Sequence, residues 1–247
     1  MADHRSRTAD PRCGAAGAAT GYGAAFDRLF ARGSAAVLAG THHRDSPPVD
    51  GGRWGLSVVL PPDPESTVRL AAVTAEALAV AGPGHWPTGS PAAVHLTVRA
   101  LEAHRSSVPA GDPLVVRAAA ALRRAAAAGP PVRLTLRGLT LTPSGVMACG
   151  HPVDSAADGF AARLAAELGD DAWFEAAFTR DIWYATLVHF TGPVHDPAAL
   201  VDWVAARRDV ELGETVVAAA ELLRFRFDGR QPVRVPLARA PFATGTR

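Results

Sequence analysis

Twice along this chain the same succession of signals recurs: an apolar stretch carrying a His-x-Thr triplet, a turn, and an Asp-Pro pair that opens a helical pattern. The first copy has His95-Leu96-Thr97 within an apolar run from Ala93 to Leu101, followed by Asp112-Pro113. The second has His189-Phe190-Thr191 at the end of a run from Ile182 to Thr191, followed by Asp196-Pro197. The repetition is of unit type, not of sequence. It demands strands alternating with helices in two comparable halves. The 182–191 run is apolar on both faces and therefore belongs at the centre of a sheet.

The remaining elements fit that frame. Trp54 to Leu60 reads as a buried strand, and Asp63-Pro64 starts a helix reaching about Ala81, because Asp caps free N–H groups and Pro suits the first helical position. The helix after Pro113 ends before Gly129-Pro130-Pro131. Val132–Leu141 and Val146–Gly150 form a hairpin turning at Pro143-Ser144-Gly145, with a bulge at Gly138 where the alternation breaks. Ser155 with Asp158 reads as a capping box before a helix carrying Phe160, Leu164 and Leu168. Thr215–Phe227 and Val233–Ala238 read as a closing hairpin around Asp228-Gly229. Ahead of this, residues 1–22 read as a disordered tail, and residues 23–52 as a helix over about 24–33 plus a loop. The main domain is expected over 53–247.

Side chains alternate along a strand, so His95 and Thr97 are expected on one face with Leu96 and Val98 on the other. The same reasoning pairs His189 with Thr191, opposed by Val188 and Phe190. Each triplet then offers a group that can exchange a proton near neutral pH and a hydroxyl beside it. In-line phosphodiester cleavage needs a base behind the attacking oxygen and an acid behind the departing one. The two threonines would hold the non-bridging oxygens, and Arg99 lies further along the first strand on the same face.

On these residues, His95-Leu96-Thr97-Val98 and His189-Phe190-Thr191-Gly192, the chain resembles the 2H phosphoesterase superfamily, which includes 2′-5′ RNA ligase-like proteins and 2′,3′-cyclic nucleotide phosphodiesterases. The resemblance extends from Trp54 to Phe242. It implies an α+β, bilobal fold: two antiparallel sheets with outer helices, related by a pseudo-twofold around a central cleft. It implies His95 and His189 as the catalytic pair, Thr97 and Thr191 as substrate-binding residues, and neither metal nor cofactor. Arg99-Ala100 departs from the bulky apolar residue and glycine that many members carry after the first motif. The N-terminal extension, residues 1–52, also stands outside the family core.

Other features are read more plainly. Trp86, before the first motif, could stack on a base, although a packed loop tryptophan is the simpler reading. Thr41-His42-His43 with Asp45 reads as a solvated loop, not a metal site, and Trp183 and Tyr184 as core packing. Neither a Gly-rich nucleotide loop nor a Gly-x-Ser-x-Gly elbow occurs. A formal net charge of +1 in 247 residues provides no field for a long duplex, which directs the expectation to a nucleotide or an RNA terminus bearing a cyclic phosphate. Two cysteines, no apolar leader and no membrane-length apolar run suggest a cytoplasmic monomer.

Overall fold

A computed structural model describes residues 13–177 and 180–244, with side chains from residue 23 onward. Five α-helices are described: α1 Cys13–Leu38, α2 Pro64–Ala81, α3 Pro113–Ala127, α4 Ala156–Leu168 and α5 Pro197–Ala205. The eight strands are β1 Ser57–Leu60, β2 Leu96–Ala100, β3 Val132–Thr142, β4 Gly145–Pro152, β5 Trp183–His189, β6 Glu211–Val217, β7 Ala219–Phe227 and β8 Pro232–Pro241. A 3₁₀ segment covers Gly169–Glu175.

The three Asp-Pro signals act as caps. Asp63 accepts from the Ser66 amide, Asp112 from those of Leu114 and Val115, and Asp196 from that of Ala199. Each occupies one of the amides that a helix start leaves unpaired. The Ser155 box does not form. Asp154 accepts from the Ala156 amide instead, and Asp158 accepts from the Trp183 indole at 2.8 Å. Helix α1 is longer than the 24–33 pattern suggests and takes in residues 13–22, which the sequence reading puts in the tail; residues 1–12 lie outside the described residues. The helix is fastened to the sheet, since Thr140 donates its hydroxyl to the Phe26 carbonyl at 3.0 Å and Asp27 pairs with Arg208 at 2.7 Å.

The α+β class holds, but the strands form one antiparallel sheet, not two, in the order β6-β3-β4-β5-β2-β1-β7-β8. Its two four-stranded halves meet at β2 and β5 through the registered pair Leu96↔Ala185. The run expected as one strand, Thr215–Phe227, breaks at Ala218. Its first part is the edge strand β6 beside β3, and its second is β7 beside β1. In a flat sheet six strand spacings would separate β6 from β7 by about 29 Å, whereas a one-residue link reaches about 7 Å. The sheet therefore curls. At the predicted bulge, Gly138 has φ +83° and its amide donates to the Val210 carbonyl at 2.8 Å. A Cβ there would lie 2.3 Å from the Arg208 carbonyl oxygen.

The core lies between the sheet and its helices. Phe160 and Phe190 are fully buried, and Phe160 meets Phe242 edge-on at 4.9 Å. Leu96, Val98, Ala185, Leu187 and Val188 point into this core from β2 and β5. The intervening residues of these central strands are thereby left facing a cleft. Among the described residues, no helix is long and apolar enough to cross a membrane.

Candidate active site

The cleft has a volume of about 510 Å³ and opens over the seam between β2 and β5. His95, Thr97, Tyr184, Thr186 and His189 all line it. Alternation along β2 turns His95 and Thr97 outward while Leu96 and Val98 are buried. On β5 the same rule exposes Tyr184 and Thr186. The β4–β5 register then shifts, pairing Val146 with Val188 but Met147 with Thr186. The extra residue, Leu187, switches the alternation, and His189 returns to the cleft side.

The His95 side chain is oriented by its own strand entrance. Its Nδ1 lies 2.7 Å from the Ala93 carbonyl, which can only accept, so Nδ1 carries the proton and Nε2 presents a lone pair. Burial pushes the imidazole down to about 4. The Ala93 bond opposes this shift, and the charges of Arg234 and Arg180 add to it. His189 is almost fully buried, with its Nδ1 2.8 Å from the Thr88 hydroxyl. Burial pushes it down to about 3, with Arg53, His95 and His43 contributing. Both rings are therefore neutral at pH 7. An anion in the cleft acts in the other direction and favours a proton on one of them.

An aromatic row links the two imidazoles. His95 meets Phe225 at 5.1 Å, Phe225 meets Trp54 at 5.2 Å, and Trp54 meets His189 at 4.8 Å between centroids. Trp54 lies outside the strand expected from 54 to 60, because its φ of +74° turns the ring into the cleft. Such a backbone is uncommon for a bulky residue and costs on the order of 1–3 kcal/mol. The following residue must be small: a Cβ on Gly55 would lie 2.0 Å from the Glu102 carbonyl oxygen.

Charge in the wall is balanced. Arg53 and Arg180 line the cleft together with Glu102 and Glu175. Arg53 pairs with Asp45 at 2.7 Å, Arg180 pairs with Glu175, and Glu102 is held by Arg105 at 2.7 Å. Among the described residues, no three His, Cys, Asp or Glu side chains converge as a metal site would require.

Three residues read from the sequence as substrate contacts are placed elsewhere. Thr191 follows the end of β5 and donates its hydroxyl to the Gly84 carbonyl, while its amide donates to His85 Nδ1 at 3.2 Å. Arg99 is drawn to the 3₁₀ segment, where its guanidinium donates to the Ala172 carbonyl at 3.0 Å; a bulge in the β1–β2 pairing separates it from Thr97. Trp86 is buried against Trp54 at 6.0 Å and Phe227 at 5.6 Å, and its backbone bridges to His189. In the 41–45 loop, His42 is buried and its Nε2 lies 2.9 Å from the Gly192 carbonyl, so this segment packs over the exit of β5. Conversely, Tyr184, which the sequence assigns to the core, lines the cleft. With Thr186 it repeats the i, i+2 spacing of His95 and Thr97, a signal present in the sequence but overshadowed by the nearby His-x-Thr triplet.

The same fold recurs in solved structures. TT0787 of Thermus thermophilus superposes with a TM-score of 0.55 at 20% identity, covering 76% of this chain and 97% of that one. The chain has the 2H phosphoesterase fold. Escherichia coli LigT complexed with 3′-AMP gives a TM-score of 0.55 at 15% identity, over 77% of this chain and 99% of LigT. A structure described as a phosphoesterase gives 0.51 at 16%, over 77% and 99%. No protein-family model matches the sequence, and no curated protein matches it.

Proposed function

We propose that this chain is a metal-independent phosphoesterase that opens a 2′,3′-cyclic phosphate, or a related phosphodiester, on a nucleotide or RNA end. The reading is carried by one observation: His95, with its lone pair on Nε2, and His189 line a single cleft beside the hydroxyl of Thr97. His95 takes the proton from the attacking water as its oxygen bonds to phosphorus. Thr97 binds a non-bridging oxygen as negative charge grows there. The leaving ribose oxygen needs a proton from the opposite wall, which carries His189, Tyr184 and Thr186. The two-histidine scheme gives that proton to His189.

The balanced wall charge suits a singly charged diester better than a polyphosphate. Trp54 offers an aromatic face to a base. Run in reverse, the same groups would join a 5′-hydroxyl to a cyclic phosphate end. The competing reading is a module that binds a nucleotide or RNA end without turnover. LigT bound to 3′-AMP, on the same fold, favours a nucleotide in either case.

Incubation with each 2′,3′-cyclic mononucleotide, with and without EDTA, and separation of 2′- from 3′-phosphate products tests the proposal. Turnover that survives EDTA and is abolished by His95→Ala is expected. Tight binding without turnover would favour the module, and loss with EDTA would overturn metal independence.

A further inference from the structure

The seam between the halves of the sheet is fixed by Leu96 pairing with Ala185 across antiparallel strands. That register sets His95-Leu96-Thr97 directly against Tyr184-Ala185-Thr186. Antiparallel pairing brings His95 opposite Thr186, and Thr97 opposite Tyr184. The two central residues are buried, and the four flanking ones line the cleft. His189 lies beyond the Leu187 bulge and outside this arrangement, and Thr191 is turned away to Gly84. The structural counterpart of His95-x-Thr97 is therefore Tyr184-x-Thr186, not His189-x-Thr191.

We infer that Tyr184 is a catalytic residue, the acid that protonates the leaving oxygen, and that Thr186 is the second hydroxyl on the non-bridging phosphate oxygens. The inference rests on the phosphoesterase reading above. Among the described residues the hydroxyls of Thr97, Tyr184 and Thr186 have no hydrogen-bond partner, so all three are available to a ligand. A phenol ordinarily titrates near 10 and keeps its proton at neutral pH. His189, held down to about 3 by burial, does not.

The step balances without any further reagent. Water loses a proton to His95 Nε2 as its oxygen bonds to phosphorus. The bond from phosphorus to the ribose oxygen breaks, and that oxygen takes the Tyr184 proton. The phenolate is then reprotonated through solvent by the His95 imidazolium. His189 remains a neutral wall residue between Trp54 and Thr88.

An acid is identified by leaving-group dependence. The unsubstituted protein, Tyr184→Phe and His189→Asn are compared on 2′,3′-cyclic AMP, whose alkoxide needs a proton, and on bis(p-nitrophenyl) phosphate, whose phenolate departs without one. Tyr184→Phe is expected to lower kcat on the cyclic nucleotide about 10²–10³-fold and to leave the nitrophenyl ester within about fivefold. His189→Asn should affect both esters alike. The alkaline limb of kcat/KM for the unsubstituted protein is expected near pH 10, in the range of a phenol. Selective loss in His189→Asn with Tyr184→Phe active, an equal loss on both esters in Tyr184→Phe, or an alkaline limb near pH 7 would each overturn the assignment. If the unsubstituted protein turns over neither ester, the phosphoesterase reading itself falls and takes this assignment with it.

Discussion

Thr191 gives its hydroxyl to the carbonyl of Gly84 and not to the cleft. The bond joins the residues just past β5 to the turn after α2, two segments far apart in sequence. Thr97, on the matching position of the first triplet, lines the cleft.

The two threonines should therefore respond differently. Thr97→Val is expected to lower kcat/KM on a cyclic nucleotide by about 10²-fold, the usual scale for losing one donor to a developing oxyanion. Thr191→Val should leave kcat/KM within about threefold and cost about 1 kcal/mol of stability, the net worth of one hydrogen bond. Steady-state kinetics and urea melts of the two variants check this. Equal kinetic losses would contradict the placement of Thr191.

Stability should fall on mild acidification. In the folded chain His95 titrates at about 4 and His189 at about 3, while an unfolded histidine titrates near 6.5. Between those values the unfolded state binds more protons. The stabilisation is complete above about 6.5 and is lost as pH drops toward 4, at up to about 1.4 kcal/mol per pH unit for each histidine. The lowered carboxylates Asp63 and Asp112 act in a separate, more acid window. Urea unfolding at pH 7.5 and 5 should show the drop, and His95→Gln with His189→Gln should flatten it. An unchanged slope in the double variant would mean the imidazoles are not its source.

The neighbouring tryptophans should separate binding from folding. Trp54 faces the cleft, so Trp54→Ala is expected to weaken adenosine monophosphate binding by about 1–3 kcal/mol, the scale of one base–aromatic stack. Trp86 is buried, so Trp86→Ala should cost about 3–5 kcal/mol of stability, and Trp86→Phe should restore most of it. Calorimetric titration and thermal melts distinguish the two. Weaker binding in Trp86→Phe at full stability would reverse the roles.

Much of the local structure is legible in the chain. The Asp-Pro caps at Asp63, Asp112 and Asp196 and the bulge at Gly138 follow from rules acting over a few residues: a free amide needs an acceptor, and a positive φ favours glycine. The alternation that turns His95 and Thr97 together and buries Leu96 and Val98 is equally local.

What the sequence by itself determined is therefore which segments are helices and strands, and that His95 and His189 sit on central strands. Only the tertiary structure decided which side chains share the cleft. One extra residue in β5, Leu187, separates His189 from the alternation that Tyr184 and Thr186 follow. A turn at Trp54 brings its ring against His189, and the break at Ala218 sends one apolar run to both ends of a single curled sheet. Pairing register and curl depend on strands distant in sequence, and a one-residue shift reverses every side chain beyond it. Local pattern therefore carries the elements, while the composition of the site is set by how the strands meet.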